Sequence, residues 1–188
     1  NFSTFLELMS LLSLTNRIGF MQGRLSPLVN GQIQAFPKEN WQNEFQVGYK
    51  NNFKILEWTI DDVGFYENPL LTNKGKNKIK ELSKKYNLKI PSLTGDFLMQ
   101  DPFWKSNSSV KKSLENKFID LILNCKEIGI RIIVVPLVDN GSMEEINHQN
   151  ALVEFFDKNL PLLKKEKVQI AFESDFCSED LMQLLKNF

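Results

Sequence analysis

The sequence predicts an α/β fold built from five successive strand–helix units. Three observations carry this. Five short apolar runs begin about 37, 34, 42 and 38 residues apart. Each run is nearly continuous in Ile, Val, Leu or Phe rather than alternating, as strands of a parallel sheet are when both faces are covered. Helical spacing of apolar residues fills every gap between them.

The strands fall at RIGFMQ (17 to 22), KILEWTI (54 to 60), LKIPSL (88 to 93), IRIIVVPLV (130 to 138) and VQIAFES (168 to 174). A short helix over 41 to 51 presents Trp41, Phe45 and Tyr49. The next, over 74 to 87, presents Ile79, Leu82 and Tyr86 with lysines on its other face. The third, 109 to 128, carries Leu114, Phe118, Leu121, Ile122 and Cys125, and Gly129 offers its C-cap. The fourth, 142 to 163, opens on Ser142 with Glu145 three residues later, the spacing of a capping box. Pro161 predicts that this helix kinks or ends near Asn159. A fifth helix opens at Ser178, with Glu179 and Asp180 in its first turn.

No linker-like stretch interrupts the alternation. The apolar segment 2 to 14 is too short to span a bilayer. It reads as a peripheral leader, so residues 1–16 are set apart from a domain over 17–188. Segment 23 to 40 is a long irregular loop with Ser-Pro, Asn-Gly and Phe-Pro steps, and its length predicts that it covers a site. Two architectures fit five units. One is an incomplete (β/α)8 TIM barrel and the other a flavodoxin-like open parallel sheet. A short terminal helix straight after the fifth strand tilts the expectation towards the barrel and a truncated chain.

Charge narrows the functional classes. Twenty-three basic and 23 acidic residues give a formal charge of zero, so no net field draws in nucleic acid or an acidic membrane surface. Cys125 and Cys177 match no zinc spacing and are expected as buried free thiols, which fits a reducing, cytoplasmic setting. There is no GxGxxG or GxxxxGK[ST] phrase, so the usual glycine-rich nucleotide loops are missing. His148, the single histidine, reads as a surface residue and rules out a multi-histidine metal site built from this chain alone.

Parallel α/β folds bind ligands at the carboxyl ends of their strands. Those ends carry Gln22 and Arg24, Glu57, Asp96, Asp139 and Glu173. Arg24 is one of three arginines against 20 lysines, and guanidinium suits a fixed clamp on phosphate or carboxylate. The alternative for Arg24 is an ion pair with Glu57 or Glu44 that braces the long loop. Glu57 and Glu173 sit within or at the rim of apolar runs, where a carboxylate needs hydrogen bonds, a cation or a metal. Each can serve a fold-bracing role or an acid–base role beside a carbonyl. Trp104, in MQDPFWKS, is the tryptophan expected to line a ligand pocket.

The phrases IGFMQGRLSP (18 to 27), IQAFPKENWQNEF (33 to 45) and FKILEWTID (53 to 61) resemble the start of sugar-phosphate isomerase/epimerase-like proteins. These belong to the xylose isomerase-like barrel superfamily. SLTGDFLMQDPF (92 to 103), VVPLVDNGS (134 to 142) and IAFESD (170 to 175) follow in the same order. The resemblance implies the first five barrel units and a small-molecule partner, a sugar or sugar phosphate. It implies that Glu173 is a ligand to a divalent metal (Mn, Co, Mg or Zn). The remaining ligands, an Asp, a His and a second Glu, would stand on strands six to eight, which this chain does not carry. Glu57 matches a pocket glutamate. The endonuclease branch uses several histidines in its first half and fits poorly here. The resemblance therefore implies isomerase or epimerase chemistry for a complete relative and an inactive fragment here. A non-catalytic sugar-binding member is the alternative, and a homo-oligomer is compatible with either.

Overall fold

The computed structural model describes residues 18–29, 31, 35–143 and 145–188, so Arg17 and the leader 1–16 lie outside the described residues. Five parallel strands form one sheet in the order β1 (Gly19–Met21), β2 (Ile55–Thr59), β3 (Lys89–Thr94), β4 (Ile132–Leu137) and β5 (Gln169–Ser174). This order overturns the flavodoxin-like alternative, which needs β1 between later strands. Right-handed crossovers that all step in one direction lay their helices on one face of the sheet. The other face is left for a barrel interior. The sheet is an open arc with β1 and β5 at its edges.

Side-chain direction follows from the pleat. The Trp58 ring lies 5.6 Å from the Trp41 ring, and the Phe172 ring 5.8 Å from that of Phe156, so both face the helices. Their neighbours Glu57 and Glu173 therefore point to the opposite face. The core lies between helices and sheet, with Leu56, Trp58, Leu93, Phe97, Phe118, Ile133 and Val135 fully buried. The β2–β3 register shifts between Ile55 and Glu57, opposite Pro91, which lies where a bulge tolerates a residue without an N–H.

The helices are α1 (Trp41–Lys50), α2 (Asn73–Tyr86), α3 (Asp96–Gln100), α4 (Ser108–Ile128), α5 (Ile146–Glu166) and α6 (Ser178–Leu185). The five residues of α3 are too few to show a period, so the sequence pattern gives no sign of it. Gly129 ends α4 at φ 95°, as a C-cap glycine should. The capping box expected at the start of α5 does not form, and the helix does not end near Asn159. The helix starts at Ile146 and Glu145 makes no capping bond. Ser142 donates to Asp175 instead, at 3.2 Å, so the capping box does not form. Pro161 neither ends nor confines α5, which runs on to Glu166. Both Pro161 and Asp157, whose carbonyl loses its partner, are exposed, on the side of the helix where water can replace a lost bond. Cys125 is buried, and burial pushes its thiol up to about 12. Cys177 is exposed, because it precedes α6 at the edge of the molecule rather than beneath it.

Candidate ligand site at the carboxyl ends of the strands

Glu57 is half-buried on the face away from the helices. Parallel pairing places Ser92 directly beside it and Thr94 one pleat further on, beside Thr59. The Ser92 hydroxyl donates to Glu57 Oε2 at 2.7 Å and the Thr94 hydroxyl to Oε1 at 3.0 Å. The carboxylate is thus fixed by two hydroxyls, one to each oxygen, and each oxygen keeps lone-pair capacity for a further donor. Among the described residues hydrogen bonds, and no ion pair, hold it there.

Gln22 and Thr59 lie next to this group and are buried. Gln22 Oε1 accepts the Thr59 backbone N–H at 3.3 Å, tying the end of β1 to the end of β2. Gln22 Nε2 and the Thr59 hydroxyl have no hydrogen-bond partner among the described residues. A buried polar group left in that state costs about 1–3 kcal/mol, so the end of the β1–β2 pair stores unused hydrogen-bonding capacity.

The other expected residues are spread along the arc. Asp96 is fully buried at the start of α3. Trp104 is buried too, and its indole N–H donates to the Gly141 carbonyl at 3.2 Å. It packs edge-on against Phe103, with ring centroids 5.0 Å apart. Arg24 is exposed after β1, with its guanidinium 3.9 Å from the Met21 sulfur. Asp139 is exposed after β4 at φ 50°. Glu173 is exposed on edge strand β5. Three strand spacings and four residues of register separate it from Glu57, roughly 20 Å along the sheet. The two carboxylates do not form one acid–base pair. His148 is more enclosed than a surface histidine, at 21% side-chain exposure, and lies 3.9 Å from Glu145.

Glu44 matters more than its sequence position suggested. It is fully buried on the inner stripe of α1 with Trp41, Phe45 and Gly48. Its carboxylate accepts the N–H of Gly23 at 2.9 Å and of Leu25 at 3.0 Å, which pins the start of the long loop. Burial holds its pKa above the ordinary carboxylate value, against these bonds. The signal was available, since Glu44 falls at helical spacing among the apolar residues that pack inward. The far end of the loop is tied as well. Phe36 N–H donates to Asp61 at 2.7 Å, and Gln100 Nε2 to the other Asp61 oxygen at 2.8 Å. A cleft of about 760 Å³ opens there, lined by Phe36, Lys38, Asp61, Asp62 and Gln100.

No protein-family model and no curated protein sequence matches the chain. Solved structures do. The IOLI protein, whose crystal structure holds a zinc atom, superposes at a TM-score of 0.59 and 13% identity over 89% of this chain. A xylose isomerase domain protein from Planctomyces limnophilus superposes at 0.61 and 8% identity over 92% of it. The likeness fixes the fold. This chain spans 57% and 59% of the lengths of those two proteins, as an open arc of five parallel strand–helix units. Among the described residues no three His, Cys, Asp or Glu side chains converge as a metal site would require. No helix among them is long and apolar enough to cross a membrane.

Proposed function

We propose that the carboxyl ends of β1–β3 bind a sugar or sugar phosphate of the kind on which an isomerase or epimerase acts. One observation carries this, the Glu57 carboxylate presented on the open face and held by Ser92 and Thr94. A polyhydroxylated ligand supplies the hydroxyl donors that this carboxylate still has room to accept. Placed beside a ligand carbonyl, Glu57 is the base that would take the proton from the adjacent carbon and return it. Arg24 and Asp139, both exposed at strand ends, offer charge at the rim, with Arg24 suited to a phosphate. Gln22, Asp96 and Trp104 are buried and act from behind the surface as positioning residues.

A second reading, metal-assisted isomerisation, draws on the zinc atom of the IOLI structure and on Glu173 as the first ligand. A zinc site takes three or more protein ligands. The described residues bring no such group together. The described donor set therefore does not fit a zinc ion, and no step is derived through one.

Calorimetric titration with ketoses and ketose phosphates tests the first reading. Saturable one-to-one binding is expected, weakened about tenfold by Glu57→Gln, or about 1.4 kcal/mol. No saturable heat with any of these ligands at millimolar concentration would sink it.

A further inference from the structure

We infer that Glu44 is the positioning residue of a phosphate subsite. From the helix side its carboxylate fixes the turn that sets the Arg24 guanidinium beside Glu57, so that the site favours a sugar phosphate over the free sugar. This rests on the sugar reading above and adds to it the charged end of the ligand. Parallel register pairs Met21 with Glu57. Paired residues of neighbouring parallel strands point to the same face, on strands about 4.8 Å apart. The Arg24 guanidinium lies 3.9 Å from the Met21 sulfur. It therefore stands on the face that presents Glu57, one strand over.

Arg24 is the middle residue of a turn in which three successive backbone N–H groups are all used. Gly23 N–H donates to both Glu44 oxygens, at 2.9 and 3.0 Å, and Leu25 N–H donates to Oε1 at 3.0 Å. Arg24 N–H goes the other way, to the Met21 carbonyl at 3.2 Å. Neighbouring N–H groups gathered in this manner make a concavity for an anion, and here the Glu44 carboxylate is that anion. Gly23 supplies the left-handed step of the turn, at φ 90°. Glu44 thus grips the backbone on both sides of Arg24. Being fully buried on α1, it does so without reaching the ligand itself. A guanidinium carried on a fixed backbone loses less freedom when it closes on a phosphate, so the brace adds to affinity for that group alone. All of these contacts run between residues 21 and 57, so they need no strand beyond β1 and β2.

Calorimetric titration with fructose 6-phosphate and with fructose tests this, the readout being the ratio of the two Kd values. The natural protein is expected to favour the phosphorylated ligand by about tenfold or more. Arg24→Gln should bring the ratio close to one. Glu44→Gln should lower it by about fivefold, although Glu44 touches neither ligand. In the Arg24→Gln background, Glu44→Gln should change the ratio no further. A carboxylate that only supported the fold would weaken both ligands in proportion and leave the ratio as it is, and that result overturns the inference. Losses that multiply in the double variant overturn it too, because the two residues then act independently. Where Glu44→Gln shows no cooperative urea transition, Glu44→Asp takes its place. It keeps the charge and draws the carboxylate back by one methylene, and a fall in the ratio is again expected, an unchanged ratio overturning the inference. Saturable binding of both ligands by the natural protein with a ratio near one overturns the inference and leaves the sugar reading standing. Saturable heat from neither ligand removes the sugar reading and this inference with it.

Discussion

Glu44 shows how one buried charge can organise a loop. Its carboxylate receives the Gly23 and Leu25 N–H groups, so removing it leaves buried donors without an acceptor. Glu44→Ala should cost about 2 kcal/mol in urea unfolding. A pH series separates the charge from the bonds. Burial raises the folded-state pKa above the ordinary 4.5. The folded state therefore binds more protons than the unfolded state between those two values. The stability this carboxyl contributes is complete below 4.5 and is lost as pH rises through the folded-state pKa. Glu44→Gln does not titrate. The stability of the natural protein relative to Glu44→Gln should fall across that window and then level off. A difference that stays flat would show that bonding balances burial at this site, and one that rises with pH that bonding outweighs it.

At the scale of elements, close approach and helix continuity decide most of the architecture. A Cβ on Gly48 would sit 2.5 Å from the tip of the Phe20 ring, so a larger residue there requires that ring or α1 to move. Gly48→Ala should displace one or the other and cost about 1–3 kcal/mol, read as a lower urea midpoint. Pro161 tests the opposite case. The backbone of α5 already follows helical geometry through it, and its surroundings are solvent. Pro161→Ala restores one intrahelical bond and should raise stability by roughly 1–3 kcal/mol in the same measurement. An unchanged or lower midpoint would mean that Pro161 is held by packing that its exposure does not reveal.

For the whole molecule, the strand–helix alternation was legible because runs such as IRIIVVPLV have a composition that local physics alone explains. Strand order left no local mark, since crossover direction depends on packing between units, and the expectation of sequential order came with the resemblance to a barrel. The site was legible in part. Glu57 stood out as a charge in an apolar run, but its partners Ser92 and Thr94 are 35 and 37 residues away and become neighbours only through parallel register. Glu173 also stood out, yet its open-edge position follows from the order of the sheet.

That position sets a limit on metal binding by the arc as a whole. A single exposed carboxylate binds divalent ions no tighter than about millimolar, because chelation requires several donors held together. At a Mn²⁺ concentration equal to such a Kd, the gain is RT ln 2, about 0.4 kcal/mol. For a chain of this size that corresponds to a shift of about 1–2 °C in thermal midpoint. Millimolar Mn²⁺ should therefore leave calorimetric unfolding almost unchanged, and Glu173→Gln should behave as the natural protein does. An increase of more than about 5 °C, abolished by Glu173→Gln, would mean that other donors gather around this carboxylate in solution. In that case Glu173, rather than the Glu57 cluster, would be the organising residue of the site.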